Sequence, residues 1–213
     1  SAGPPTGALE GIKEAERLGF NSVWTAEAYG SDALTPLAWW GARTETLKLG
    51  TAIMQMAART PSAAAMAAIT MDHLSNGRFI LGLGASGPQV VEGWHGVPFE
   101  KPLARTRDTI EICRKVWSGE KVSHDGRVYS LPLAEGGTGL GKPLKIINHP
   151  VRDTIPIFWA SLMGLSVKAT AQFADGWLPI LFDPEKFHSV WGDELKAGMA
   201  ERDPDLGPLQ DNG

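Results

Sequence analysis

Arg78-Phe79-Ile80-Leu81-Gly82-Leu83-Gly84-Ala85-Ser86-Gly87 is a short apolar run that ends in three glycines spaced G-x-G-x-x-G. An apolar run of this length reads as a buried strand, and the glycines as a loop poor in side chains. Such a loop lets backbone N–H groups approach a ligand closely, whether a phosphate or the edge of a ring. Taken alone, the spacing is that of a dinucleotide-binding βαβ unit. That unit wants its glycines on the first strand of its domain and an acid about twenty positions on, at the end of the next strand. Here two strand–helix units precede the glycines, Asp108 falls inside a helical pattern, and Pro88 follows Gly87 directly.

Working outward, strand-like and helix-like segments alternate. Leu9, Ile12, Ala15 and Leu18 recur near the helical period, with Gly19 as a stop. Asn21 to Ala26 predicts a strand, Thr35-Pro36 to Thr44 a helix, and Leu47 to Ile53 a second strand. Pro61 opens a helix that Asn76-Gly77 ends, ahead of the strand Phe79 to Leu83. Leu103 to Trp117 reads as a helix, and Val122 to Tyr129, broken by Asp125-Gly126, as a hairpin. Ala134 to Pro143 reads as loop; then come a strand at Pro156 to Ala160, a helix at Leu165 to Ala174, a strand at Trp177 to Leu181 and a helix at Pro184 to Ala200. Consecutive βα units imply a parallel sheet, and with no sign of a strand-order reversal they fit a (β/α)8 barrel. Function in that fold sits in the loops at the C-terminal ends of the strands. Those loops are Glu27 to Gly30, Met54 to Met56, Gly84 to Gly87 and Ser161 to Gly164, whereas Ser75 to Arg78, at the opposite ends, is structural.

The bulk numbers narrow the class. The 213 residues are 43% hydrophobic and 21% charged, with a net charge of −4, a composition ordinary for a globular chain able to bury a sizeable core. The acidic balance points away from nucleic acid and anionic membrane surfaces. One cysteine, Cys113, excludes an internal disulfide framework and reads as a small buried hydrophobe. No His/Asp/Glu set has metal-ligand spacing, and no apolar run reaches membrane-spanning length. With no signal segment at its start, the chain carries the expectation of a cytoplasmic protein. His73 and His95 read as structural, His124 as solvent-facing, and His149 as a residue that could border the site. The eight tryptophans read first as packing residues and second as pocket walls.

At its strand-end loops the chain resembles the bacterial luciferase-like superfamily, in particular the branch that uses the deazaflavin coenzyme F420. The resemblance lies in Gly19-Phe-Asn-Ser-Val-Trp-Thr-Ala-Glu27, Leu49-Gly-Thr-Ala-Ile53, Leu74 to Gly84, Gly87 to Gly96 and Ala174-Asp-Gly-Trp177. It implies a TIM barrel of the luciferase type, with the first strand and the last two strands not in this chain. It also implies a single partial-barrel domain over 1–213, with a hairpin and loop inserted at about 120–145.

The resemblance further implies a non-proline cis peptide at Ala52-Ile53, forming a bulge that supports the cofactor ring from behind, next to Met54. Gly84, Ala85, Ser86 and Gly87 would contact the ring and its polyol chain. Ser161, Met163, Gly164 and Leu165 would form the phosphate-binding turn, although many relatives carry Gly-Pro where this chain has Met163-Gly164. Glu27 and Tyr29 are the candidate catalytic residues. Some dehydrogenases of the family follow the acid with a catalytic histidine; here Ala28 stands in its place. Glu27 is thus a candidate proton donor or ring-orienting group, with a structural hydrogen-bonding role as the alternative. The implied activity is hydride transfer between F420 and a small organic substrate, in a homodimer. The alternatives are an FMN-dependent monooxygenase and a flavin-binding protein with little catalysis.

Overall fold

The computed structural model describes residues 5–180 and 182–211. A short 3-10 turn, Pro5–Ala8, leads into helix α1 (Leu9–Arg17), which is followed by β1 (Ser22–Thr25), α2 (Leu34–Gly41) and β2 (Lys48–Thr51). Then come β3 (Met54–Gln55), α3 (Pro61–Leu74), β4 (Phe79–Gly84), a single turn α4 (Pro88–Val91) and α5 (Pro102–Trp117). The two-residue strands β5 (His124–Asp125) and β6 (Ser130–Leu131) form the inserted hairpin. The chain continues through β7 (Ile157–Trp159), α6 (Gly164–Phe173), β8 (Gly176–Trp177), α7 (Phe187–Ala200) and β9 (Gln210–Asp211). The main sheet is parallel throughout, in the order β1-β2-β4-β7-β8-β9, with β3 continuing the line of β2 against β4. Strand order follows chain order, and among the described residues the sheet does not close.

Alternation along the strands sorts the core into two faces. Leu49, Leu81, Leu83, Ile157 and Trp159 pack outward, in one buried cluster with Ala65, Ile69, Ile110 and Cys113 of the helices. Burial pushes the Cys113 thiol up to about 12, so it is an inert packing group, as its place on the helix stripe suggests. Helix α3 starts as the sequence indicates: Pro61 occupies its first turn, and Thr60 caps it by accepting from the Ala63 N–H at 3.4 Å. It ends at Asn76 and Gly77, both in the left-handed region (φ 54° and 79°).

The N-terminal end of the sheet is saturated with hydrogen bonds. Arg78 donates to the carbonyls of Gly41, Thr44, Leu47 and Ser75 and to the Thr44 hydroxyl. Asp72 accepts from the Phe79 N–H and is paired with Arg152, whose guanidinium also meets the Phe79 carbonyl. Glu16 reaches from α1 to accept from the N–H groups of Glu45, Thr46 and Leu47 at 2.8, 2.6 and 3.1 Å and from the Thr46 hydroxyl at 3.0 Å. Burial pushes its carboxyl up, but these four donors outweigh it and bring it down to about 2. The expected structural role of the Ser75 to Arg78 loop is met here.

Several boundaries differ from expectation. The strand predicted over Trp177 to Leu181 is only Gly176–Trp177. Leu178 still donates to the Trp159 carbonyl, but the next residue, Pro179, has no N–H to offer the strand on the other side; Leu181 lies outside the described residues. After residue 200 a further strand, β9, pairs in parallel with β8, so one of the two terminal strands expected to be missing is present. It is too short and polar to show as an apolar run. No strand precedes α1 among the described residues, 1–4 lying outside them.

In the hairpin the Gly126 N–H bonds the Tyr129 carbonyl, which puts Asp125 in the strand and centres the turn on Arg127-Val128, two residues later than predicted. His124 is buried rather than solvent-facing. Asp108 of α5 lies 3.6 Å from it and also accepts from the N–H groups of Val128 and Tyr129. His149 lies at the N-terminal end of the sheet, where its carbonyl meets His73 Nε2 at 2.6 Å, and does not border the strand C-termini. No helix among the described residues is long and apolar enough to cross a membrane.

The Glu16 anchor gives a pH-dependent expectation. Its folded pKa lies below the unfolded value, so its contribution is complete above about pH 4.5 and is lost as pH falls towards 2. Glu16→Ala should cost about 1–2 kcal/mol at pH 7, allowing for solvent screening. Urea denaturation should find this difference at pH 7 and find it vanishing near pH 2.

Candidate functional site

The inner face of the sheet is built around two large rings. Trp24 of β1 and Phe158 of β7 pack with centroids 5.8 Å apart. Glycines on the strands beside them make the room. A methyl group at Gly50 would lie 2.2 Å from the Trp24 ring, and one at Gly176 would lie 2.5 Å from the Phe158 ring. Gly82 serves another contact: a methyl there would meet the Thr51 carbonyl oxygen at 1.6 Å. The Thr51 hydroxyl in turn donates to the Gly82 carbonyl and accepts from the Gly82 N–H, both at 2.8 Å. A side chain thus replaces the regular ladder between β2 and β4 at this level.

Past Thr51 the backbone turns through a cis peptide at Ala52-Ile53, as expected. The Ala52 N–H bonds the Thr25 carbonyl at 2.6 Å, and the Ile53 carbonyl accepts from the Glu27 N–H at 3.2 Å. The chain then rejoins β4 as β3, with Gln55 opposite Gly84. The Ile53 side chain lies over Gly84, where a methyl would come within 2.7 Å of Ile53 Cδ1. The sequence motif is therefore redistributed. The space beside Gly82 and Gly84 is filled by Thr51 and Ile53, whereas Ser86 takes the left-handed conformation (φ 57°) and is exposed beside the half-buried Ala85 and Gly87. Ala52 and Ile53 are half-buried at the same edge, but Met54 is buried in the outward core cluster and does not line the mouth.

Glu27 is not free. Arg59 clamps it through both carboxylate oxygens, at 2.6 and 2.8 Å, and the N–H groups of Gln55 and Ala33 add bonds of 2.7 and 3.3 Å. Burial pushes the carboxyl up, but the guanidinium and the two amides prevail and hold it below the usual carboxylate range. Burial pushes the Asp32 carboxyl up, but the hydroxyl and N–H of Thr35 and the N–H of Leu34, helped by the field of the same arginine, hold it below the usual carboxylate range. Gln55 donates from Nε2 to the Glu27 carbonyl at 3.0 Å, which leaves its buried Oε1 without a partner. Tyr29 is exposed at the rim.

Across the mouth, Ser161 is buried, its hydroxyl 2.7 Å from that of Thr170 and its carbonyl accepting from Trp177 Nε1. Met163 precedes α6 and no side chain caps the helix, so the first-turn N–H groups of Gly164 and Leu165 have no intrahelical acceptor. The Met163 and Leu165 side chains are 77% and 78% exposed, which leaves the backbone as the part of this turn able to hold an anion.

The structure thus brings Ala52, Ile53, Gly84 to Gly87, Glu27 and the α6 start to one edge of the sheet. Asp32 and Arg59 are the residues that sequence reasoning missed, and Thr51 and Gln55, although inside stretches it singled out, carried no role of their own there. Arg59, two positions before the proline that opens α3, forms no pattern; its partner is 32 residues away.

A family model described as luciferase-like monooxygenase matches residues 1–210 of the chain. A Mycobacterium tuberculosis protein provisionally named coenzyme F420-dependent oxidoreductase is 55% identical over 197 residues, 91% of this chain and 57% of that protein. The 5,10-methylenetetrahydromethanopterin reductase of Archaeoglobus fulgidus is 31% identical, covering 89% of this chain and 53% of its own. The chain therefore spans a little over half the length of these relatives. Among solved structures, the coenzyme F420-dependent tetrahydromethanopterin reductase of Methanopyrus kandleri superposes with a TM-score of 0.82 at 22% identity, covering 99% of this chain and 62% of its own. An F420-dependent secondary alcohol dehydrogenase, in complex with an F420–acetone adduct, superposes at 0.83 with 18% identity, covering 99% and 65%. At those identities the structures establish a shared fold.

The Glu27–Arg59 pair carries a stability expectation. Arg59→Met leaves a buried carboxylate without its counter-ion and should cost about 3–5 kcal/mol at neutral pH. The double variant Arg59→Met with Glu27→Gln should recover part of that loss, as chemical denaturation of the two single variants and the double would measure.

Proposed function

The chain belongs to the luciferase-like monooxygenase family, and from that premise we propose that its protein is an F420-dependent oxidoreductase acting on a small organic substrate. The observation that carries this reading is the 55% identity, over nine-tenths of the chain, to a protein named for that cofactor. The residues at the mouth fit the group. They offer an apolar platform at Ile53 on Gly84, a side-chain-poor lip at Ala85 to Gly87, a buried acceptor at Gln55 Oε1 with no partner, and open amides at the start of α6.

In this reading Ala52 and Ile53 support the ring from behind, Ser86 and Gly87 flank its polyol chain, and the N–H groups of Gly164 and Leu165 receive its phosphate. When bound, coenzyme F420 supplies or accepts a hydride at one carbon of its ring. Glu27, held ionised with its oxygens occupied, has no proton to give; its work is to fix the loop from 27 to 33 against Gln55 and Arg59. The exposed Tyr29 hydroxyl is the group of this loop able to exchange a proton with a substrate at the rim. A homodimer is part of the same proposal.

Titration with F420 and with FMN, followed by ring fluorescence, tests the reading. F420 should bind, and Ile53→Ala should weaken it about tenfold through lost apolar contact. Binding of FMN alone, with oxygen consumed, would replace this reading by the monooxygenase one.

A further inference from the structure

Helix α7 lies unusually close to α6. A methyl group at Gly198 would meet the Lys168 carbonyl at 2.3 Å, so only glycine permits this approach. The Lys168 ammonium pairs with Glu201 at 2.7 Å, and Trp191 Nε1 donates to the Leu162 carbonyl at 2.9 Å, pinning α7 across the turn that begins α6. The consequence is the position of Glu194. Its Oε1 stands 3.0 Å from where a methyl group at Gly164 would sit. Among the described residues this carboxylate forms no ion pair and no side-chain hydrogen bond, and Lys168, one turn further along α6, is engaged by Glu201. A carboxylate with no ion pair therefore stands beside Gly164, the residue that begins the turn assigned above to the cofactor phosphate.

We propose that Glu194 selects the cofactor by the charge of its phosphate, disfavouring a phosphate monoester and tolerating a phosphodiester. The inference rests on the reading of the α6 start as the phosphate seat. The helix amides attract either anion, while Glu194 repels each in proportion to its charge. A monoester such as that of FMN carries close to two negative charges at neutral pH, whereas the phosphate of F420 is a diester with one. If repulsion weakens a monoanion by some factor, it weakens a dianion by the square of that factor, because the energy scales with the charge. Riboflavin has the ring of FMN and no phosphate, so Glu194 should not affect it.

The test measures dissociation constants of the full-length protein and of Glu194→Gln for FMN, riboflavin and F420, using ring fluorescence. Glu194→Gln should tighten FMN about three- to tenfold, tighten F420 by about the square root of that factor, and leave riboflavin unmoved. Glu194→Ala, with a good helix former at the same place, should give the same pattern and stands in if the glutamine variant folds poorly. FMN and riboflavin moving together, or FMN unmoved while F420 binds, would overturn this inference alone. Failure of all three compounds to bind either protein would overturn the proposed function and this inference with it.

Discussion

The close approach of β2 and β4 at Thr51 and Gly82 is the constraint from which the mouth of this sheet follows. With no side chain at Gly82, the Thr51 backbone can enter the space a Cβ would take, and its hydroxyl closes both hydrogen bonds that the displaced ladder leaves open. The chain leaves the sheet for two residues and returns as β3, held by the Ala52 N–H on Thr25 and the Ile53 carbonyl on Glu27. That excursion brings Ile53 over Gly84 at the strand ends. A larger residue at either glycine would remove the platform before any ligand met it.

The two ends of the sheet are built to opposite rules. At the N-terminal end Glu16, Arg78 and the Asp72–Arg152 pair occupy the backbone groups of the turns. At the C-terminal end the hydrogen bonding is deliberately incomplete: the start of α6 has no cap, Gln55 Oε1 has no partner, and Ser86 sits in a left-handed conformation. Groups left open at one end and saturated at the other are what a fold needs if one end is for stability and the other for ligands. Glu27 is the exception. It lies at the C-terminal end yet is tied as tightly as any residue at the N-terminal end, and its bonds to Arg59, Gln55 and Ala33 hold the loop carrying Tyr29.

Much of this was legible in the sequence. The alternation of apolar runs with helical stripes located every long helix, the Pro61 and Asn76-Gly77 boundaries of α3, and the strand ends around which the mouth forms. Family resemblance put the cis peptide at Ala52-Ile53, where it is found. What escaped was whatever depends on a partner far along the chain. Gly82 and Gly84 read as ligand-facing because spacing cannot reveal that Thr51 and Ile53 already fill the room beside them. His124 read as exposed because a hairpin residue usually is, and nothing local reveals Asp108 sixteen residues earlier. β9 escaped because a two-residue polar strand has no pattern of its own and exists only through pairing with β8.

The sequence by itself determined the order of elements, the parallel sheet and which loops share the C-terminal edge of the strands, because these follow from local periodicity and from turn residues read within a few positions. The tertiary structure alone decided which atoms those loops leave free. It spent Gly82 and Gly84 on the protein's own packing, locked Glu27 to Arg59, buried Met54, and brought Glu194 alongside Gly164, thirty residues away in the chain. The reason is physical: a hydrogen bond, an ion pair or a filled volume depends on distances across the fold, and spacing along the chain does not contain them.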